Sequence, residues 1–147
     1  LKNNFIVLIA CFVVALLAGD GAIFLIVWNA SVWGTLFGLT ARNAALASGE
    51  SALMLFGIIM LIVLPHVILE SLSYIVAAIA GAVVSKGIVA EGFFSRKFGE
   101  VFNFNYYLIA FALLFLLIGA LVETFVLENA TAYQKIIELS FLAFGAS

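Results

Sequence analysis

The chain has 147 residues, of which 67% are hydrophobic and only 10% are charged. Soluble domains carry about 25% charged residues, so this composition excludes a water-exposed globule and predicts an integral membrane protein. A net charge of −2 does not indicate nucleic-acid binding, because such binding needs a surface with clustered Lys and Arg. The expected partners are the lipid bilayer and other membrane proteins or a second copy of the chain.

The first apolar block runs from residue 5 to residue 39 and holds one charge, Asp20. As a straight helix it would reach about 50 Å, whereas the hydrocarbon core of a bilayer is about 30 Å thick. Gly19 and Gly21 flank Asp20 near the middle of the block, and glycine leaves helical geometry cheaply. We therefore predict two half-helices that meet at these three residues.

The second apolar block, residues 51–84, is equally long and contains Pro65 near its middle. Proline removes a backbone donor and clashes with the preceding helical turn, so we predict a second break there. If both blocks are hairpins, Arg42 and the basic residues between Lys86 and Lys97 lie on the same side of the cell membrane. Lys and Arg favour the cytoplasmic side, which makes these loops cytoplasmic.

An amphipathic stretch follows, in which Phe94, Phe98 and Phe102 recur every fourth residue. Arg96 and Lys97 lie elsewhere around the helical turn, a pattern typical of a helix in the plane of the membrane interface. The helix is either a simple anchor or a site where the basic pair recognises lipid headgroups.

The third apolar block, residues 106–127, has the length of one span, and a shorter one, residues 136–144, closes the chain. These blocks predict an all-α, polytopic transmembrane bundle with broken or re-entrant helices and one interfacial helix. We expect one transmembrane domain over residues 1–147. Because the chain begins with Leu1 rather than Met, we also expect that an upstream part is missing.

His66 and Glu70 are the ionisable residues of the second block. Charged groups are costly in a bilayer and face a bundle interior, a partner or a cavity. A spacing of four places both side chains on one helix face. Such a pair either shares or relays a proton or holds a cation, or it is a hydrogen-bonded pair that fixes a broken helix.

Asp20 and Glu123 are further candidates for the same polar centre. Asp20 either caps the helix that begins at Ala22 or meets His66 where the two predicted breaks adjoin. Glu123 either marks the rim of the third span or faces inward. Zinc sites usually need three protein ligands, so neither a metal nor another cofactor is predicted.

Two pairs of small residues have the small-xxx-small spacing that lets membrane helices approach closely. They are Gly34 with Gly38 and Ala77 with Gly81. Packing within the chain and contact with a second copy both fit this spacing.

The chain resembles the stage II sporulation protein M family of integral membrane proteins. The specific feature is a Pro-His-x-x-x-Glu motif formed by Pro65, His66 and Glu70, although Val67 replaces a usual glycine. Weaker similarities are Asn3 and Asn4, Asn29 with the glycines after it, the small-residue helix from Ala77, and Glu123. Members of the family usually have a further helix before the asparagine pair, so the resemblance implies that the chain is a fragment lacking this upstream helix. In spore formers, the resemblance implies a scaffold in a membrane complex with peptidoglycan-cleaving partners.

We accordingly expect a non-enzymatic scaffold or subunit of a membrane complex. The alternative is a transporter or channel-like protein whose intramembrane polar centre moves a proton, a cation or a small solute, since many transporters build their sites at broken helices.

Overall fold

The computed structural model describes residues 1–92 and 95–145, with side-chain environments through residue 143. Every regular element in this part of the chain is helical. The helices are α1 (Lys2–Ala18), α2 (Ala22–Ser48), α3 (Ala52–Glu91), α4 (Arg96–Asn129) and α5 (Thr131–Gly145). By length and composition, the stretches able to cross a membrane are Lys2–Ser48, Ala52–Glu91 and Arg96–Asn129. The chain is therefore a multi-pass, all-α membrane protein, as its composition predicts.

The predicted break in the first apolar block is confirmed. A short 3₁₀ turn, Gly19–Gly21, separates α1 from α2. Gly19 has a φ of 56°, a conformation that glycine adopts without the steric cost a side chain would add. Ala15 before the turn and Ala22 after it lie in the same apolar cluster, so the chain folds back on itself here.

The predicted break in the second apolar block is wrong. Helix α3 is continuous for 40 residues, and Pro65 lies inside it. Pro65 is exposed on the helix surface, so its ring does not crowd a neighbouring helix, and the missing N–H removes only one backbone hydrogen bond. At about 1.5 Å per residue, α3 is about 60 Å long.

Helix α2 runs antiparallel to α3 along most of that length. Near the start of α2, Ala22 shares a surface groove with Ala78. Near its end, Ala44 belongs to the same apolar cluster as Leu55. The two helices therefore form one long hairpin closed by the turn around Gly49, which has a φ of 75°.

Helix α4 runs antiparallel to the second half of α3. Gly87 faces Val101 near the start of α4, and Gly119 faces Leu69 and Glu70 near its end. A methyl group at Gly119 would lie 3.3 Å from side-chain atoms of both α3 residues, so these neighbours would have to shift by a few tenths of an ångström.

Helix α1 lies beside the same half of α3 and runs parallel to it. The side chain of Asn4 bonds to Glu70. Further along both helices, Phe12 lies against Gly81. Ala77 and Gly81 are fully buried at this contact, so this small-residue pair serves packing within the chain.

The continuity of α3 separates charges that were predicted to share a side. Arg42 follows Ala41, which packs in one cluster with Ile59, whereas Lys86 lies near the other end of α3. Ile59 and Lys86 are about 40 Å apart along the helix. Arg42 and the basic residues from Lys86 to Lys97 therefore lie toward opposite ends of the hairpin, and the prediction that they share the cytoplasmic side is wrong.

The predicted interfacial helix is not a separate element. Its described residues form the first turns of α4, where the Ser95 hydroxyl accepts a hydrogen bond from the backbone N–H of Phe98 at 3.0 Å. Phe98 is buried near Gly87, and Phe102 is 60% exposed. Phe94 lies outside the described residues.

The basic pair of this stretch is involved in two surface ion pairs. Arg96 lies 4.0 Å from Glu100 one turn later, and Lys97 lies 3.8 Å from Glu91 at the end of α3. Exposed pairs of this kind contribute about 0–1 kcal/mol, so they orient the junction between α3 and α4 more than they stabilise it.

The apolar interior consists of two clusters at different heights along α3. The buried members of the first cluster come from α1, α2, α3 and α4: Leu8, Cys11, Ala15, Ala22, Tyr74, Ala77, Ala112 and Leu116. Those of the second come from α2, α3 and α5: Phe37, Ala41, Ala44, Leu55, Ile59, Val63 and Ile136. The segment of α3 between Val63 and Tyr74 joins the two.

Candidate intramembrane polar site

The joining segment carries His66 and Glu70, one turn apart near the middle of α3. Their relative exposures are 7% and 5%, as expected for polar groups kept away from lipid. The antiparallel packing of α4 brings the half-buried Glu123 to the same height. All three side chains line one cavity of about 140 Å³, so the structure gathers three of the four predicted polar-centre residues.

The walls of this cavity come from four helices. Its other lining residues are apolar or aromatic: Trp33, Phe37, Val63, Val67, Leu127 and Tyr133. The site is thus a small polar patch enclosed by apolar side chains, an environment in which charge interactions are stronger than in water.

Glu70 is held by a residue that the chemistry of the sequence did not single out. The side-chain amide of Asn4 donates a hydrogen bond to Oε1 of Glu70. In the sequence, only the family resemblance pointed to Asn4. The available signal was physical: Asn4 directly precedes an apolar run, and an amide that is buried needs a polar partner.

His66 is not held in this way. Among the described residues, no group bonds to its Nδ1 atom, although that atom is buried. Glu70 takes its described hydrogen bond from Asn4 rather than from His66. The interpretation of His66 and Glu70 as a mutually bonded pair is therefore not supported, because His66 retains an unused polar atom beside the cavity.

A second cavity of about 230 Å³ adjoins the first along the groove between α2 and α3. Glu70, Trp33, Phe37 and Val67 line both cavities. The rings of Trp33 and Phe37 stack with centroids 5.5 Å apart. The polar residues that only the second cavity adds are Asn29, Ser71 and Tyr74.

Asp20 does not join this site. It is exposed and lies in a groove with Ala78, about 18 Å along α3 from the height of His66. It does not cap α2 either, because the residue at that position is Gly21 and no side chain bonds to the helix start. The structure thus supports neither role predicted for Asp20.

The other predicted pair of small residues makes no close contact, and Gly34 lines the larger cavity. A methyl group built on Gly34 or on Gly38 would meet no described atom within 4 Å beyond its own stretch of helix. This contrasts with Gly81, where a methyl group would overlap the carbonyl oxygen of Phe12.

Within the described part of the chain, no three His, Cys, Asp or Glu residues are grouped so that they could hold a metal ion. His66, Glu70 and Glu123 surround a cavity but do not converge on one point. The arrangement therefore suits a proton or an extended cation better than a bare metal ion.

The chain was compared with known protein families, curated proteins and solved structures. The model of the family described as stage II sporulation protein M matches residues 1–126. That range includes Asn4, His66, Glu70 and Glu123 and ends before α5. No curated protein matches the chain, and no solved structure does. The chain belongs to the stage II sporulation protein M family.

Proposed function

We propose that this protein is a non-enzymatic subunit, of the scaffold type, in a membrane complex. The observation that carries the proposal is the loose packing around Gly34 and Gly38 of α2, where a methyl group on either glycine would meet no described atom within 4 Å. The partner of this part of α2 is a helix of another membrane protein or of a second copy.

Small residues matter in such a contact because close helix approach replaces the hydrophobic effect as a driving force inside lipid. The chain contains two pairs with this spacing. Ala77 and Gly81 use it to seat α1 against α3. Gly34 and Gly38 have the same spacing, and Ser31 and Thr35 nearby are exposed, which suits a second helix contact of the same kind.

The orientation that we propose follows three of the six basic residues. Lys86, Arg96 and Lys97 lie at the end of the bundle where α3 passes into α4. Because Lys and Arg favour the cytoplasmic side, this end faces the cytoplasm of the cell membrane. Arg42 then lies toward the opposite end.

The test compares Gly34→Leu with Gly57→Leu in the full-length protein, recovered from membranes in mild detergent after cross-linking. Gly57 is a matched control because a methyl group there also meets nothing within 4 Å. We expect Gly34→Leu to lose a cross-linked partner that the parent protein and Gly57→Leu retain. Recovery of the parent protein alone, or equal partners in both variants, would contradict the proposal.

A second candidate function is favoured by the cavity that His66, Glu70 and Glu123 line. In this alternative, the polar centre carries a proton, a cation or a small solute across the membrane. Intramembrane acids and histidines that face a cavity are the usual elements of such pathways. His66, which lines this cavity, also has a buried Nδ1 atom without a described partner.

Flux in liposomes tests this alternative. We expect His66→Ala and Glu70→Gln to abolish flux while the protein stays folded. Asp20→Asn is the matched control, because it removes a carboxylate that is remote from the cavity, and it should retain flux. The absence of any flux by the parent protein across a broad panel of ions would eliminate the transport function.

A further inference from the structure

We infer that the polar centre binds an organic ammonium group, and that the groove between α2 and α3 holds the rest of that molecule. The inference deepens the second candidate function and rests on it, because both use the same site. It names the chemical class of the ligand, which neither the family nor the motif specifies.

The first argument is charge. Glu70 and Glu123 line the same cavity, and no described Lys or Arg forms an ion pair with either of them; the two ion pairs of the described chain lie at the junction of α3 and α4. A charge taken out of water needs a partner of opposite sign. A bound cation supplies that partner.

The second argument is the presence of unused polar atoms. His66 is 7% exposed and Tyr74 is 2% exposed, yet Nδ1 of His66 and the hydroxyl of Tyr74 have no partner within the described residues. Native proteins leave few such groups unsatisfied. His66 lines the smaller cavity and Tyr74 the larger one, so each cavity has a buried polar atom without a described partner in its wall residues.

The third argument concerns the walls. Trp33 and Phe37 line both cavities and stack on each other, and Tyr133 lines the smaller one. Aromatic faces attract organic cations, and combinations of such faces are how proteins recognise alkylated ammonium groups. A bare metal ion gains less here, because the acidic and imidazole groups do not form a metal-binding set in the described chain.

The fourth argument is size. Cavities of about 140 and 230 Å³ each exceed the share of liquid volume taken by one water molecule, which is about 30 Å³. The smaller cavity accommodates an ammonium group with its substituents, and the larger one takes an attached chain. Free amines and the ethanolamine headgroup of a lipid both offer this chemistry.

Fluorescence of Trp33 provides the test. In a Trp28→Phe background, Trp33 is the one remaining tryptophan of the chain and lies in the cavity wall. The protein is placed in nanodiscs of phosphatidylglycerol and titrated with propylammonium, with potassium chloride at equal ionic strength as the control. We expect a saturable change with propylammonium only.

Glu70→Gln and Glu123→Gln, made in the same background, connect the signal to the site. Each should weaken propylammonium binding by about tenfold or more, the effect of losing about 1.4 kcal/mol of charge interaction. Asp20→Asn should leave binding unchanged. Glu123 is only half-buried, so its variant remains informative if Glu70→Gln fails to fold.

Nanodiscs that contain phosphatidylethanolamine separate the two sources of the ligand. If the lipid headgroup occupies the site, propylammonium changes the fluorescence only where that lipid is absent. If the ligand is a free amine, the change is equal in both. The inference is overturned by no saturable change in either lipid, by an equal change with potassium, or by unaltered binding in both Gln variants. Because the readout is binding, a loss of the ammonium signal together with intact ion flux would overturn this inference and leave transport standing.

Discussion

Asn4 of α1 donates a side-chain hydrogen bond to Glu70 of α3, which joins the two helices at the polar centre. Asn4 is 7% exposed and Glu70 is 5% exposed. In the described chain no other donor reaches the carboxylate of Glu70. The amide therefore satisfies a buried acid and also fixes the height at which α1 lies along α3.

Replacement of Asn4 by Ala should lower the free energy of unfolding by about 1–3 kcal/mol, the cost of leaving a buried acceptor unsatisfied. Unfolding of the purified protein in mixed detergent micelles measures it. Asn3→Ala is the matched control, because Asn3 is exposed and should change stability by no more than about 0.5 kcal/mol. Equal effects of the two substitutions would show that Asn4 does not carry the contact.

Gly81→Ala should destabilise the protein although alanine is the better helix former. A methyl group at this position overlaps the carbonyl oxygen of Phe12 and lies 3.0 Å from Ala15, and overpacking typically costs about 1–3 kcal/mol. Gly57→Ala meets nothing within 4 Å and should instead stabilise α3 by up to about 1 kcal/mol. The two variants should therefore shift the denaturant midpoint of unfolding in opposite directions. A gain in stability at both positions would contradict the close contact of α1 and α3.

Pro65→Ala should leave the protein folded and raise its free energy of unfolding by up to about 3 kcal/mol, because α3 is continuous through this position and regains one backbone hydrogen bond. Leu64→Ala, at an exposed neighbouring position, controls for loss of side-chain surface. If Pro65→Ala instead unfolds the protein or lowers its stability, the proline has a structural role that a continuous helix does not explain.

Ser95→Ala should cost about 1 kcal/mol, since the hydroxyl caps α4 through the N–H of Phe98. Ser31→Ala is a fair comparison, because its hydroxyl bonds only to the Val27 carbonyl within the middle of α2, and such a substitution should stay within about 0.5 kcal/mol. Thermal unfolding followed by circular dichroism distinguishes them. A neutral Ser95→Ala would indicate that the cap does not limit the stability of α4.

The overall class of the fold could be predicted from the sequence, because lipid leaves few alternatives to apolar helices. The turn at Gly19–Gly21 was equally predictable, since two glycines beside a charge make a helix easy to interrupt. The break at Pro65 was not: whether a proline bends or ends a helix depends on neighbouring helices that compensate for one lost hydrogen bond. The error at Pro65 also placed Arg42 at the same end of the bundle as Lys86.

The polar site was predictable where the signal is local. His66 and Glu70 are four residues apart and must share a helix face. Whether Glu123 or Asp20 joins them depends on how α4 and α2 are shifted along α3, which one sequence does not specify. Trp33 and Tyr74 gave no signal at all, because aromatic residues are ordinary in an apolar helix.

The two apolar clusters lie on either side of the polar centre, and α2 and α3 contribute buried residues to both. Pro65, where α3 lacks one backbone hydrogen bond, lies in the segment that joins them. Helices α2 and α3 are each continuous from one cluster to the other, so the polar centre is enclosed along its length by two packed apolar regions.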